Sequence, residues 1–491
     1  MKSLDDRLTG AVTSIRQQTA VEDLNEKSPK LKATKALLAN VEWVDLTKVC
    51  ESLGWRKDGE KLPSQKHYKV AIVHTLVQVA KKHHWHVIFD TGFFYIFNGA
   101  YWVALEDPEV KQLLKNAAIK MGYIEIECRD SKFVDNLFKQ AEQDGFFSEK
   151  NYAKQSIINL KNGSLVLDDK GINIKSFDYR DFLTHQLNFN YDPKAVNQTF
   201  LTYLEQVLPN QDTRKTLQQV AGYLFVKDLK MEKVIFLFGF GANGKSVFFE
   251  VLSGVIGINN ISNYSLESLT DDKGYSRAMI KDKIVNYGTD IRLTRIDAGK
   301  LKTLASGEPI EARLPYRDPF IMNDYAKFIF NVNKMDSANI EHTHGFYRRL
   351  LVIPFNQTIA DDKQDKDLHK KILVDRAGFL NWIIEGARQV IENRDIFISD
   401  ECLKFKQQFI RETDSVAMFE DNILEDLKGN IYFKSVTNAH KEYKEFCVEA
   451  GKKPLGRTNF SKGMVALGFE KSKKDDGQML EKNYTQEKMF K

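Results

Sequence analysis

Eight residues, Gly239-Phe-Gly-Ala-Asn-Gly-Lys-Ser246, constrain this 491-residue chain more than any other stretch. They fit the pattern G-x-x-x-x-G-K-[ST]. An apolar run, Val234-Ile-Phe-Leu-Phe238, leads into them and Val247-Phe-Phe-Glu-Val-Leu252 follows. Buried strand, glycine-rich turn and amphipathic helix, in that order, are the context the pattern needs. Glycines let backbone N–H groups wrap phosphate oxygens, and the helix N-terminus adds the positive end of its dipole. The stretch therefore predicts a nucleoside triphosphate cradle shaped by Gly239, Gly241, Asn243 and Gly244. Lys245 would reach the β- and γ-phosphates, and the Ser246 hydroxyl would sit on Mg²⁺. The bland alternative is a coincidental glycine turn.

The length suits two to four domains, each able to bury a core. No apolar stretch approaches the roughly 18 to 20 residues of a membrane-spanning helix, so no membrane partner is expected. Met1-Lys-Ser-Leu-Asp-Asp-Arg7 has no apolar core of a signal peptide. The four cysteines (Cys50, Cys128, Cys402, Cys447) are far apart and form no C-x-x-C pair. That spacing argues against a zinc site and a disulfide framework, and suits a reducing cytoplasm. The net charge of +5 sits in the tail, where residues 428–491 hold 14 Lys/Arg against 8 Asp/Glu. A basic module after a nearly neutral chain is a candidate nucleic-acid footprint, with a solvated lysine-rich surface as its rival.

Periodicity divides the chain into a helical leader (1–65), an α+β and helical region (66–228), a core of alternating strands and helices (229–360), a helical segment (361–416) and a small tail domain (417–491). Within the second region, helices are expected over 68–81, 107–121 and 130–143. Asn98-Gly99 between apolar runs is a hairpin signal, and 157–167 reads as a second hairpin. The aromatic run Phe89 to Trp102 reads as hairpin core, with a base-stacking platform as the alternative. His84 and His86 could share a strand face, but no carboxylate or cysteine stands at ligand spacing, so an exposed polar cluster is expected. Apolar runs at 283–287 and 326–332 are expected as parallel strands beside the one that enters the glycine loop.

A hydrolytic site also needs an acid at the end of a neighbouring strand. Lys283-Ile-Val-Asn-Tyr-Gly-Thr-Asp290 offers Asp290, 44 residues after Ser246, as a second Mg²⁺ residue; a surface aspartate at a turn is the rival. Ile329-Phe-Asn-Val-Asn333 ends an apolar strand with an amide able to bond the attacking water or γ-phosphate. Gly345-Phe-Tyr-Arg-Arg-Leu350 places Arg348 and Arg349 before a buried strand, where an arginine projecting across a subunit boundary can stabilise transferring charge. In the tail, Arg457-Thr-Asn-Phe-Ser-Lys-Gly-Met464 and Gly468-Phe-Glu-Lys-Ser-Lys-Lys474 are consistent with a recognition helix and a basic wing. Arg457, Lys462, Lys473 and Lys474 would be the phosphate contacts, and packing against the ATPase is the alternative.

In this order and spacing the segments resemble the superfamily 3 helicase domain of phage, plasmid and poxvirus-type primase-helicase proteins. The resemblance spans roughly 90 to 470. It rests on 239–246, on Leu-Lys-x-Leu-x-Ser-Gly-Glu at 301–308, on Asn-x-Asn at 331–333 and on Arg-Arg-Leu-Leu-Val-Ile-Pro-Phe at 348–355. It implies an α/β, AAA+-like P-loop core with a helical and α+β N-terminal region and a small winged-helix-like C-terminal domain. It further implies a homo-hexameric ring that uses ATP and Mg²⁺ to move on single-stranded and forked DNA during replication of a phage or mobile element. The family's roles fall on Lys245, on Asp290 as Walker B acid, on Lys302 as a DNA-channel lysine, on Asn333 as sensor and on Arg348 or, preferably, Arg349 as finger. Thr289 stands where the family commonly has a second acid, which leaves the water-activating group open; Glu308 is a distant candidate. The leader carries no paired acids or Cys/His cluster of a primase. Two other readings stay open: a motor that remodels protein or packages DNA without unwinding, and an origin-binding initiator whose ATPase is an assembly switch.

Overall fold

The computed structural model describes residues 29–59, 61–90, 92–144, 155–289, 296–333, 347–427, 431–474 and 477–484. Its centre is a five-stranded, all-parallel sheet of β7 (Val234–Phe238), β8 (Ile261–Ser262), β9 (Val285–Gly288), β12 (Lys327–Val332) and β13 (Leu350–Pro354), in the order β13-β7-β12-β9-β8. All five residues of β7 and of β13 are buried, as near-continuous apolar runs require when helices cover both faces. Strand alternation sends β7 into two cores. Ile235 and Leu237 join one, and Val234, Phe236 and Phe238 join the other. The runs expected as strands at 283–287 and 326–332 are β9 and β12, but only β12 pairs with β7; β9 lies one strand further out.

Helix α9 (Lys245–Ile256) packs on the first face. Phe248, Val251, Leu252, Val255 and Ile256 recur at helical spacing and are at most 1% exposed. Each large apolar side chain buried this way contributes about 2 kcal/mol. The same core takes in α7 (Gln198–Val207), α8 (Gln211–Tyr223) and α14 (Arg376–Asn393), where Phe200 meets Phe379 edge-on at 4.5 Å. The other face is covered by α12 (Ala298–Ala305) and by Phe409 of α15 (Asp400–Thr413).

Ahead of this core, helices α1 (Pro29–Ala39), α2 (Leu46–Ser52), α3 (Gln65–Lys82), α4 (Asp107–Lys120), α5 (Glu125–Cys128) and α6 (Ser131–Asp144) surround a meander of β1 (Val87–Asp90), β2 (Phe93–Phe97) and β3 (Trp102–Leu105). The meander differs from the expected hairpin. The apolar run 87–97 splits at Gly92 (φ +83°), so Asn98-Gly99 closes the second turn rather than the first. Tyr95 and Trp102 are at most 1% exposed and Phe97 is buried with them, the core packing expected of this aromatic run. His84 lies in a turn (φ +58°) and His86 stacks on Tyr179 at 3.4 Å, so the two share no strand face. A second meander, β4 (Ser156–Leu160), β5 (Gly163–Asp168) and β6 (Gly171–Lys175), leans on the central core.

The tail forms its own core. Helix α16 (Ser415–Asp426) joins α17 (Val436–Glu449), α18 (Arg457–Ala466) and a three-stranded sheet of β14 (Ile431–Ser435), β16 (Gly477–Asn483) and β15 (Glu470–Lys474) around Phe419, Tyr443, Phe460 and Met464. Val416 and Phe419 belong to that core, so the unit takes in α16 from its start. Among the described residues, no helix is long and apolar enough to cross a membrane.

Candidate functional site

The chain leaves β7 for the far edge of the sheet, returns through β9 and β12, and reaches β13 on the other side of β7. The carboxyl end of β7 is therefore a point where connections diverge, the place where open α/β sheets leave a crevice. The glycine-rich loop occupies it. Its neighbours staple it down: Gly239 N donates to Val332 O (3.1 Å), Ile359 N to Ala242 O (2.8 Å) and Asn243 Nδ2 to Phe355 O (3.1 Å). Gly239 is forced to be glycine by close approach, since a Cβ would overlap Asn243 Nδ2 and lie 2.6 Å from Phe355 O. Gly239→Ala is expected to lower unfolding free energy by about 2–3 kcal/mol, measured by urea titration. Wild-type stability in this variant would contradict the packing argument.

Gly244 caps α9 with φ +87°, and no side chain caps the first turn. The first N–H groups of this 12-residue helix thus face the crevice without a side-chain cap, and an anion suits them. Tyr203 Oη donates to Gly244 O at 2.8 Å, and burial pushes its phenol well above the usual range, so it remains a donor. Lys245 is 4% exposed and its Nζ donates to Gly239 O (2.6 Å) and Asn243 Oδ1 (3.0 Å). Two neutral oxygens thus sit where an ammonium would meet anionic ones. Ser246 is exposed at the first helical turn. One turn on, Glu250 lies 2.9 Å from His369 Nδ1 of α13 (Leu368–Leu373), and burial pushes its carboxyl up to about 7. Nothing in the local sequence singles out that pair.

Asn333 follows the carbonyl that holds Gly239 and is half-exposed beside the loop. Asn331 instead turns inward and accepts from Tyr287 Oη at 3.1 Å. Asp290 lies outside the described residues; β9 ends two residues before it.

Arg348 and Arg349 stand at the opposite end of the sheet. Arg349 O accepts from Val234 N, at the start of β7, five residues before the loop. At the rise of a strand that is about 16 Å. Both guanidinium groups lie 2.9 Å from Glu232, and Arg349 also reaches Ser306 Oγ at 3.2 Å. The Arg349 side chain is 12% exposed and that of Arg348 54%. Two lysines not evident from the sequence share this edge: Lys233 Nζ donates to Arg348 O at 2.9 Å, and Lys406 is pushed down to about 8 by burial and by Lys233. Lys302, half-exposed on α12, and Glu308 belong to this end as well. Lys302 O accepts from Ser306 N, and Glu308 O accepts from Tyr325 at the foot of β12. Glu308 is therefore far from the glycine loop.

In the tail unit, Arg457 and Lys462 are exposed on α18 and Lys473 is exposed on β15, the strand that ends at Lys474.

Residues 74–209 match the D5 N-terminal-like family and residues 411–491 the poxvirus D5 protein-like family, on either side of the sheet. Two D5-type families thus match this chain, and both support a phage- or virus-type, superfamily 3 primase-helicase. Between them, residues 237–349 match a family of unknown function (DUF5906). A putative helicase, L207/L206 of Acanthamoeba polyphaga mimivirus, is 24% identical over 280 residues, 55% of this chain. That overlap spans 28% of the relative's length. Two apo structures of the NrS-1 C-terminal region cover 83% of the chain and 98% of their own, at 11% and 13% identity and TM-scores of 0.47 and 0.46. At those TM-scores the likeness adds nothing to the family assignment.

Proposed function

We propose that this chain is an ATP-dependent DNA helicase of superfamily 3 that serves the replication of a phage, plasmid or other mobile element. Its glycine loop is read as a P-loop in an AAA+-like core that binds ATP and Mg²⁺. Lys245 neutralises the β- and γ-phosphates, Ser246 and Asp290 hold the metal, and Asn333 orients water or the γ-phosphate. The observation that carries the reading is the separation of Lys245 from Arg348 and Arg349. They lie at opposite ends of one parallel sheet, about 16 Å of strand apart, so one copy cannot bring both to one phosphate. A second copy set head to tail can, and repetition of that contact closes a ring. A homo-hexamer is the closure proposed.

Lys302 is read as a contact in the DNA channel. The tail unit is read as a winged-helix-like module, with Arg457 and Lys462 on the recognition helix and Lys473 and Lys474 on the wing. Its self-contained core and the basic excess of residues 428–491 support that reading. The mimivirus relative is itself described as a putative helicase, which points the same way.

A forked-duplex assay separates this reading from its rivals. The wild type is expected to displace a strand in an ATP-dependent manner, and Lys245→Ala to displace none. ATP hydrolysis stimulated by DNA without displacement would favour a packaging or remodelling motor. Sequence-specific duplex binding with negligible turnover would favour an origin-binding switch.

A further inference from the structure

Between α12 and β12 the chain forms a two-stranded hairpin, β10 (Ile310–Ala312) and β11 (Phe320–Met322). Its turn is unusual. Tyr316 is fully exposed with φ +60°, a conformation that residues with side chains rarely adopt, and Arg313 is exposed beside it. An aromatic ring and arginines on a projecting turn suit the stacked bases and phosphates of a nucleic-acid strand. Yet Arg317, on the same turn, is already occupied. Its Nη2 lies 2.6 and 2.7 Å from the two carboxylate oxygens of Asp107 on α4, and its Nη1 is 3.8 Å from Glu142 on α6. Beside this contact Phe320 meets Phe93 edge-on at 6.2 Å.

The same N-terminal unit is attached to the core a second time, and the two attachments differ in kind. Lys281, 7% exposed at its side chain, donates to Tyr95 Oη at 2.5 Å, and Tyr95 Oη donates to Asp282 at 2.5 Å. That attachment is largely buried, with Tyr95 at 0% exposure and the Asp282 side chain at 20%. The Arg317 contact is open to water, with side chains 27%, 47% and 29% exposed for Arg317, Asp107 and Glu142, and it borders a groove of about 510 Å³. A half-exposed ion pair is screened by salt and yields to a competing anion. Phosphate offers a guanidinium the same forked acceptor as carboxylate.

We propose that Asp107 and Glu142 act as an internal phosphate mimic that holds the hairpin turn, and that the backbone of a nucleic-acid strand displaces them from Arg317. The inference rests on the DNA-binding reading above for the identity of the competitor. The clamp itself rests on geometry alone.

The test uses the full chain carrying Asp107→Asn with Glu142→Gln. Without nucleic acid, amide hydrogen exchange over 310–322 is expected to accelerate about five-fold, with the melting temperature of the sheet core unchanged. A charge swap, Asp107→Arg with Arg317→Asp, is expected to restore protection. Unchanged exchange in the neutralised variant would overturn the clamp, whatever the chain binds. By fluorescence anisotropy, the neutralised variant is expected to bind a labelled oligothymidine about five-fold tighter than wild type. Equal affinities would overturn the phosphate-mimic role. If neither protein binds the strand, the DNA reading and the competitor fall together, while the exchange data still decide the clamp.

Discussion

Lys245→Ala is expected to lower ATP turnover by about three orders of magnitude, because under the proposed function it removes an ammonium that would meet developing charge on the β- and γ-phosphates. In the structure Lys245 is 4% exposed and rests on Gly239 O and Asn243 Oδ1. Both acceptors belong to the loop itself, so the ammonium is held at the crevice before any anion arrives. Loss of the side chain should leave the loop in place, since its staples to Val332, Ile359 and Phe355 involve other atoms. The measurement is phosphate release at saturating ATP, with a melting curve to show that the variant is folded. Turnover within ten-fold of wild type would sink the assignment of this loop to phosphate chemistry.

Arg349→Ala is expected to reduce hydrolysis by about a thousandfold or more while sparing nucleotide binding, the scale on which arginine fingers act. The fold places the arginines too far from Lys245 of their own chain, so the loss should be repairable. Mixing Arg349→Ala with Lys245→Ala subunits pairs an intact loop on one copy with an intact arginine on the next, and some turnover should return. Absence of rescue would count against a site shared between copies. Arg348→Ala belongs in the same experiment. Arg348 is the more exposed of the two, and both arginines share Glu232, so in the proposed ring the phosphate of the next copy could draw either away from that carboxylate. Arg349 also holds Ser306, four residues before the hairpin. A lower melting temperature for Arg349→Ala alone would therefore separate its packing role from the chemistry.

Many elements were legible because their signals are local. Helices at 65–82, 107–120 and 131–144 follow from apolar spacing, and the capping contact of His67 Nδ1 with Ser64 N lies within one turn of sequence. The 156–168 hairpin follows from two apolar runs around Lys161-Asn162. The 87–105 region was harder. Its run of aromatics suits one long strand as well as two short ones, and only the sharp turn at Gly92 and the space around Tyr95 select the meander. Among the site residues, Lys245, Ser246 and Asn333 stand out by motif. Tyr203, Lys233, Glu250 and Lys406 carry no motif, and they matter only through what the fold sets beside them.

The sequence by itself determined the strand, glycine turn and helix at 234–256, because apolar periodicity and glycine spacing act over a few residues. It also determined the basic excess of the tail, which is a matter of counting. Only the tertiary structure decided that β12, and not β9, stands beside the loop, that the two arginines lie at the far end of the sheet, and that Arg317 is held by carboxylates 175 to 210 residues away in the chain. Those relations depend on strand order and on close packing between distant segments. Chain topology sets both, and no local pattern of residues records them.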